Sequence, residues 1–421
     1  MIKLVNILLL RAIKDRASDI HIEPLPSFIR IRYRVDGVLR EFPSPPRNML
    51  IAIVSRIKVM GSLNITETRV PQDGRIKLVV EGREVDLRVS TVPTINGESI
   101  VMRVLDRSMM MIGISQIGML GEVLEHFQRL MRRPNGIILV TGPTGCGKTT
   151  TLYAALNEVK DPGEKFITTE DPVEYELEGI QQVNINENVG LTCARCLRAI
   201  LRQDPDTVLV GEIRDVETAQ ISVQASLTGH LVLSTLHTNS AAATVTRLLD
   251  MGVEPFLITS SLEGVVGQRL VRTICQACKR EYKPTEEDLL DFGKTLDDVR
   301  EQGLIFYEGT GCPECNHTGY HGRMGIFELL EVTDEIRDLI LERGTTDEIQ
   351  EMALRQGMIS MRQDGWVKAC MGLTTLTEIS RQTPRESEIG TPAATTTEVE
   401  GKQVDEIEEG ISEQHKLKNK L

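Results

Sequence analysis

The run Gly142-Pro-Thr-Gly-Cys-Gly-Lys148-Thr149 constrains this chain more than any other feature. It fits G-x-x-x-x-G-K-[ST], with an apolar stretch at 137–140 leading in and a helical stretch at 150–156 leading out. That context predicts a buried strand, a tight glycine loop and a helix starting at the loop. Glycines let successive backbone N–H groups converge on phosphate oxygens without Cβ clashes, and the helix N-terminus adds a favourable dipole. The candidate nucleotide loop is thus Gly142, Pro143, Thr144, Gly145, Cys146, Gly147, Lys148, Thr149 and Thr150. Lys148 would pair the β- and γ-phosphates, and the Thr149 hydroxyl would ligate Mg2+.

Around this loop, the apolar runs 137–140, 208–210 and 231–233 are short and uninterrupted, with helical stretches between them. That is the pattern of strands buried on both faces of a largely parallel sheet. Upstream the pattern differs. Ile29, Ile31, Tyr33 and Val35 alternate with Arg30, Arg32 and Arg34, and Val85, Leu87 and Val89 alternate again, so these strands have one buried face. Asp36-Gly37 and Glu81-Gly82 are turn signals. An amphipathic first helix is expected to end before Ala17-Ser18-Asp19.

The expected organisation is a small α/β domain over 1–108 and a linker over 109–120 containing Met109, Met110 and Met111. A nucleotide-binding core over 121–271 follows, then a cysteine-bearing insert over 272–327, and a helical part over 328–383. The span 384–421 is Thr- and Glu-rich without aromatic residues and reads as a disordered acidic tail.

Hydrolysis needs more than a phosphate loop. Thr169-Glu170-Asp171-Pro-Val-Glu174 follows one apolar run, and Glu212 follows the run 208–210. A carboxylate at the C-terminal end of a strand beside the loop can orient Mg2+ or polarise an attacking water. Alternative uses are an ion pair between Glu212 and Arg214, and a helix cap for Glu170. Position 207 is Thr and 211 is Gly, so this strand lacks the usual metal-binding Asp. His230 and His237 flank the apolar run 231–236, where a histidine serves either as a capping residue or in catalysis. No Asn/Thr-Lys-x-Asp guanine element is present, which favours an adenine nucleotide.

Cys275-x-x-Cys278 and Cys312-x-x-Cys315 supply four thiolates, the ligand set of a closed structural Zn2+ site. The spacer 279–311 exceeds the usual zinc-ribbon range. His317 and His321 are alternative ligands on spacing. Cys193-x-x-Cys196 has no matching second pair.

Together these motifs resemble the secretion ATPase superfamily, specifically the type II secretion and type IV pilus-assembly traffic ATPases. The resemblance covers about 17–383. It is carried by Ala17-Ser-Asp-Ile-His-Ile-Glu-Pro24, Arg69-Val-Pro-Gln-Asp-Gly-Arg75, the phosphate loop, Thr169-Glu-Asp-Pro-Val-Glu174 and Leu201-Arg-Gln-Asp-Pro-Asp206. Gly211-Glu-Ile-Arg-Asp215, Thr235-Leu-His-Thr-Asn239, Gln268-Arg-Leu-Val-Arg272 and Thr318-Gly-Tyr-His-Gly-Arg323 continue it. The resemblance implies a RecA-like core behind a small PAS-like domain, a homo-hexameric ring, and ATP held between the two domains. It also implies Glu170 and Glu212 as catalytic carboxylates and His237 as a sensor of the γ-phosphate. Arg88 and Arg103, and more weakly Arg75, are implied to reach the phosphates, and the four cysteines to hold zinc. Implied partners are inner-membrane platform proteins, at the cytoplasmic side, in protein export through a pseudopilus.

The departures are Cys146 in place of a usual Ser, with oxidation of its thiol a potential liability, and Cys193, Arg195 and Cys196 at positions of other types. The resemblance begins at the family's second N-terminal domain. Pilus assembly, nucleic-acid translocation and a non-hydrolysing scaffold are the rival readings. Lys and Arg number 48 against 61 Asp and Glu, a net charge of −13, which weighs against stable nucleic-acid binding. No stretch reaches the ~20 apolar residues that a spanning helix requires, and no secretory signal is expected at the start.

Overall fold

A computed structural model describes residues 2–80, 82–106 and 113–384, and the chain divides into two compact units, 1–111 and 112–421.

The first unit contains α1 (Ile2–Lys14), β1 (Asp19–Pro24), β2 (Ile29–Val35), β3 (Val38–Phe42), α2 (Leu50–Met60), β4 (Gln72–Val80), β5 (Arg83–Thr94) and β6 (Gly97–Asp106). The strands form one antiparallel sheet in the order β3-β2-β1-β6-β5-β4. Period-two alternation puts Ile20, Ile22, Ile29, Ile31, Leu87, Val89, Ile100 and Met102 in one core with Val5, Leu8 and Leu9 of α1 and Ile53 and Ile57 of α2. The opposite face is charged. The hairpin between β2 and β3 turns on Asp36 (φ 49°) and Gly37 (φ 82°), the pair of left-handed residues that a two-residue turn requires. Lys58 is buried in an ion pair with Glu98 and donates to the Glu67 carbonyl at 2.7 Å, which fixes the loop leading into β4.

The second unit starts with α3 (Gly121–Met131), β7 (Gly136–Thr141), α4 (Lys148–Val159), β8 (Phe166–Glu170), β9 (Gln181–Asn184), α5 (Cys193–Ile200), β10 (Thr207–Val210) and α6 (Val216–Leu227). It continues through β11 (Leu231–Leu236), α7 (Ala241–Asp250), α8 (Pro255–Ser261) and β12 (Leu262–Ile274). The insert carries β13 (Lys279–Tyr282), α9 (Glu286–Leu290), α10 (Leu296–Glu301) and β14 (Phe306–Gly309). The end of the unit is β15 (Tyr320–Glu331), α11 (Asp334–Leu341), α12 (Thr346–Arg355), α13 (Met361–Cys370) and α14 (Leu376–Gln382).

The main sheet runs β15-β12-β7-β11-β10-β8-β9, with every neighbouring pair parallel except β15 against β12. Every residue of β7, β10 and β11 is buried, because one hydrophobic cluster with α5, α6 and α7 covers one face and another with α3 and α4 covers the other. This is the mixed α/β sheet expected from the uninterrupted apolar runs.

Several boundaries fall differently from the expected spans. Of the linker, 109–112 lie outside the described residues, whereas Ile114, Ile117 and Met119 are buried in the same cluster as Phe127 and Phe327. The limits at 272 and 327 run through β12 and β15, which pair from Gly264↔Glu331 to Arg272↔Arg323. The helical part therefore begins after a strand end, since 328–331 belong to β15. From 385 on, the tail lies outside the described residues.

The insert shares its core with the C-terminal helices. Leu289, Phe292, Val299 and Phe306 are buried with Trp366, Ala369, Leu376 and Ile379. The Trp366 ring lies 5.2 Å from that of Phe292 and 5.4 Å from that of Phe306. α13 is in turn fixed to β15: Lys368 Nζ donates to the Gly325 carbonyl at 2.9 Å, and the Phe327 N–H donates to Asp364 at 2.7 Å. A Cβ on Gly325 would lie 2.3 Å from the Phe327 ring. Trp366→Ala is expected to cost about 3–5 kcal/mol, read as earlier urea unfolding by circular dichroism. A loss under about 1 kcal/mol would contradict a shared core between insert and helices.

Candidate active site

The parallel strands bring their C-terminal ends to one edge of the sheet, and the expected residues of the second unit occupy the segments that leave it. The loop 142–147 connects β7 to α4, Glu170 ends β8, Glu212 follows β10 and His237 follows β11. Gly142 has φ 148° and Gly147 φ 93°. A Cβ on Gly142 would come within 2.4 Å of the Gln268 carbonyl oxygen and 2.6 Å of Cys146 Sγ, so only glycine fits there. Pro143, Thr144, Gly145 and Thr149 are exposed, and Thr150 is half-buried.

Lys148, the first residue of α4, is buried. Its Nζ donates to the carbonyls of Gly142 at 2.8 Å and Pro143 at 3.3 Å, and lies 3.4 Å from His237 Nδ1. An ammonium only donates, so Nδ1 is the acceptor and the ring proton sits on Nε2. That Nε2–H faces Glu212 Oε2 at 3.2 Å. Lys148, His237 and Glu212 thus form one continuous polar chain. Burial pulls the Lys148 ammonium below its ordinary pKa, partly offset by the charge of Glu212. For Glu212 burial acts upward, but the Arg214 guanidinium and His237 outweigh it and hold the carboxyl below its usual value. The ion pair with Arg214, read from the sequence as an alternative use, therefore coexists with the His237 contact; Arg214 also lies 3.8 Å from Asp171.

Glu170 sits differently. Its carboxylate is buried and accepts from the hydroxyls of Tyr153 and Thr168 and, at 3.2 Å, from the Gln182 amide. It ends a strand and caps no helix. His230 has the capping use: its Nδ1 lies 2.9 Å from the Ala225 carbonyl at the C-terminal end of α6. The Thr141 hydroxyl, immediately before the loop, accepts from the Thr238 N–H at 2.9 Å and ties the loop to the segment carrying His237. The Cys146 thiol is buried, and burial raises its pKa, so it remains protonated; the oxidation liability expected from the sequence is reduced by that enclosure.

Tyr153, Gln182 and Thr141 were not identifiable as site residues in the sequence. Tyr153 and Gln182 reach Glu170 only after α4 and β9 have packed beside β8, and no local motif marks them.

In the first unit, the strand register aligns Arg75 with Arg88, Arg88 with Arg103, Arg103 with Asp19, and Asp19 with Arg34. Arg103 Nε lies 3.5 Å from Asp19 Oδ1, and Arg34 Nε lies 3.6 Å from Oδ2 of the same carboxylate. Like charges side by side on one sheet face cost stability.

In the insert, Cys275, Cys278, Cys312 and Cys315 bring their Sγ atoms within 4.8 Å of one another. Cys275 and Cys312 are 3.8 Å apart, Cys278 and Cys315 3.9 Å, and Cys312 and Cys315 3.8 Å. Four thiolates at ~2.3 Å around one tetrahedral ion stand ~3.8 Å apart, so this set fits a metal ion. The N–H groups of Cys312 and Gly319 each donate to Cys315 Sγ at 3.2 Å, as a ligating thiolate requires. Neither His317 nor His321 belongs to the cluster, and Cys196 is packed in the core of the second unit.

Three relatives bear on this geometry. The type II secretion system ATPase E of Vibrio cholerae serotype O1 is 54% identical over 383 residues, 91% of this chain and 75% of the relative. The type IV pilus assembly ATPase PilB of Myxococcus xanthus is 48% identical over 381 residues, 90% of this chain and 67% of the relative. The crystal structure of the pilus retraction motor PilT with bound ADP superposes with a TM-score of 0.60 at 26% identity, covering 91% of this chain and 98% of that one. Residues 1–381 match the family described as Type II/IV secretion system protein, and the chain belongs to that family.

Proposed function

We propose that this protein is the ATP-hydrolysing motor of a type II secretion system, a RecA-like ATPase core joined to a PAS-like domain. It would work as a homo-hexamer at the cytoplasmic side of the inner membrane, driving pseudopilus assembly and protein export with platform proteins of the system. The observation that carries the hydrolytic reading is the chain from Lys148 through His237 to Glu212 beside the phosphate loop. No helix among the described residues is long and apolar enough to cross a membrane.

In this reading the nucleotide phosphates replace the Gly142 and Pro143 carbonyls as partners of Lys148. Glu212, kept ionised by Arg214, takes the proton of the attacking water. As the water oxygen bonds to the γ-phosphorus, the bond to the β–γ bridging oxygen breaks and ADP leaves with that electron pair. His237, between the ammonium and the carboxylate, responds to the presence of the γ-phosphate. Glu170, held at the end of β8 beside Asp171 by Tyr153, Thr168 and Gln182, is assigned as the second catalytic carboxylate with Glu212. Arg88 and Arg103 are assigned as the guanidinium donors for the developing charge. The Thr149 hydroxyl would hold Mg2+, which neutralises phosphate charge when bound. The four cysteines would hold Zn2+ as a structural ion. A pilus-assembly motor is the second reading, favoured by the 48% identity to the Myxococcus xanthus protein.

Glu212→Gln keeps the hydrogen-bonding shape and removes the base. Steady-state phosphate release is expected to fall by about 10²–10⁴-fold with ATP affinity little changed. Turnover within about threefold of the parent would contradict Glu212 as the base. Mass spectrometry of the purified protein is expected to find about one zinc per chain, lost in Cys312→Ser. Stripping it should shift emission of Trp366, the single tryptophan, to longer wavelength as the segment between the cysteine pairs loosens. Well under one zinc per chain, or unchanged emission after stripping, would contradict the structural-zinc assignment.

A further inference from the structure

Gln268 lies on β12, beside the strand that feeds the phosphate loop, and is almost completely buried. Its amide is used at both ends. Nε2 donates to the Cys146 carbonyl at 2.8 Å, and Oε1 accepts from the Thr151 hydroxyl at 2.8 Å. Its backbone carbonyl faces Gly142, and Nε2 would lie 3.0 Å from a Cβ on Gly147. This one residue therefore braces the loop at Gly142, Cys146 and Gly147 and also grips the first turn of α4.

We propose that Gln268 is a positioning residue that sets the phosphate-binding direction of the loop through the peptide joining Cys146 to Gly147. That peptide is planar, so its carbonyl and its N–H point in opposite directions. When Gln268 holds the Cys146 carbonyl inward, the Gly147 N–H is turned away from the core, toward the hollow of the loop where a phosphate oxygen binds. The Thr151 hydroxyl fixes which end of the amide faces the carbonyl, because it presents a donor to Oε1. A hydrophobic side chain would fill the same space but leave the carbonyl free to rotate. The charged groups that act on the neighbouring Cys146 thiol are Lys148 on the loop side and Arg269 on β12. The proposal deepens the ATP-hydrolysing reading and rests on it.

The test is Gln268→Glu in the full chain, with affinity for a fluorescent ATP analogue measured directly beside ATP turnover. An ionised carboxylate has no proton for the Cys146 carbonyl, whereas the protonated acid has one, and burial favours the acid. The expected result is an affinity about tenfold weaker than the parent near pH 8, recovering toward the parent near pH 6. Gln268→Met should be weakened about tenfold without recovery, and Thr151→Val should show a smaller loss from the unfixed amide. Parallel pH profiles for Gln268→Glu and the parent, or parent-like affinity in Gln268→Met, would overturn the proposal. If Gln268→Glu does not fold, the comparison of Gln268→Met with Thr151→Val decides it, with equal losses or no loss counting against. If the parent binds the analogue but releases no phosphate, the hydrolytic reading fails, while the affinity comparison still tests Gln268.

Discussion

Parallel pairing of neighbouring strands is the constraint from which the site follows. Because β8, β10, β11 and β7 run side by side in one direction, their C-terminal ends share one edge, and the segments leaving them must converge. That convergence puts Glu212 within hydrogen-bond distance of His237, and His237 beside Lys148, although the three are distant in sequence. Burial on both faces keeps the strands from shifting, since any slip would unpack both hydrophobic clusters at once. The loop itself is held from two sides, by Thr141 and Thr238 toward β11 and by Gln268 toward β12.

The second dependence runs from the loop to the far end of the chain. Gly267 on β12 pairs with Glu328 on β15, and the Glu328 carboxylate, buried in the core, accepts from the Ala241 N–H at the start of α7 at 2.7 Å. α7 follows the segment that carries His237. On β15 the neighbouring Phe327 and Gly325 anchor α13, and α13 carries Trp366 into the core of the insert. The insert is thus more than a loop gathered by four cysteines: its apolar half is completed by the C-terminal helices, which explains how a spacer longer than a zinc ribbon stays ordered.

Much of this was legible before the structure. Period-two alternation identified β2 and β5, the uninterrupted runs identified β7, β10 and β11, and the glycine pattern identified the loop 142–147 with its flanking strand and helix. These signals are local, so a linear reading suffices. What it missed depends on distant pairing. β15 returns to β12 across the whole insert, and nothing in its sequence distinguishes it from the start of the helical part. Likewise Glu170 and Glu212 look equivalent as carboxylates after apolar runs. Only packing separates the one enclosed by Tyr153, Thr168 and Gln182 from the one facing His237 and Arg214. Arg75, Arg88 and Arg103 were singled out by the family resemblance, but their alignment with Asp19 and Arg34 across five strands is a property of register.

The central claim is that the Lys148 ammonium, now directed at loop carbonyls and His237, is the cation that grips the terminal phosphates during hydrolysis. Lys148→Ala in the purified protein tests it most directly, by phosphate release at saturating Mg-ATP. The account predicts a fall of at least about 10²-fold, the scale set by removing one fixed donor from a developing negative charge. Hydrolysis continuing at the parental rate would contradict it.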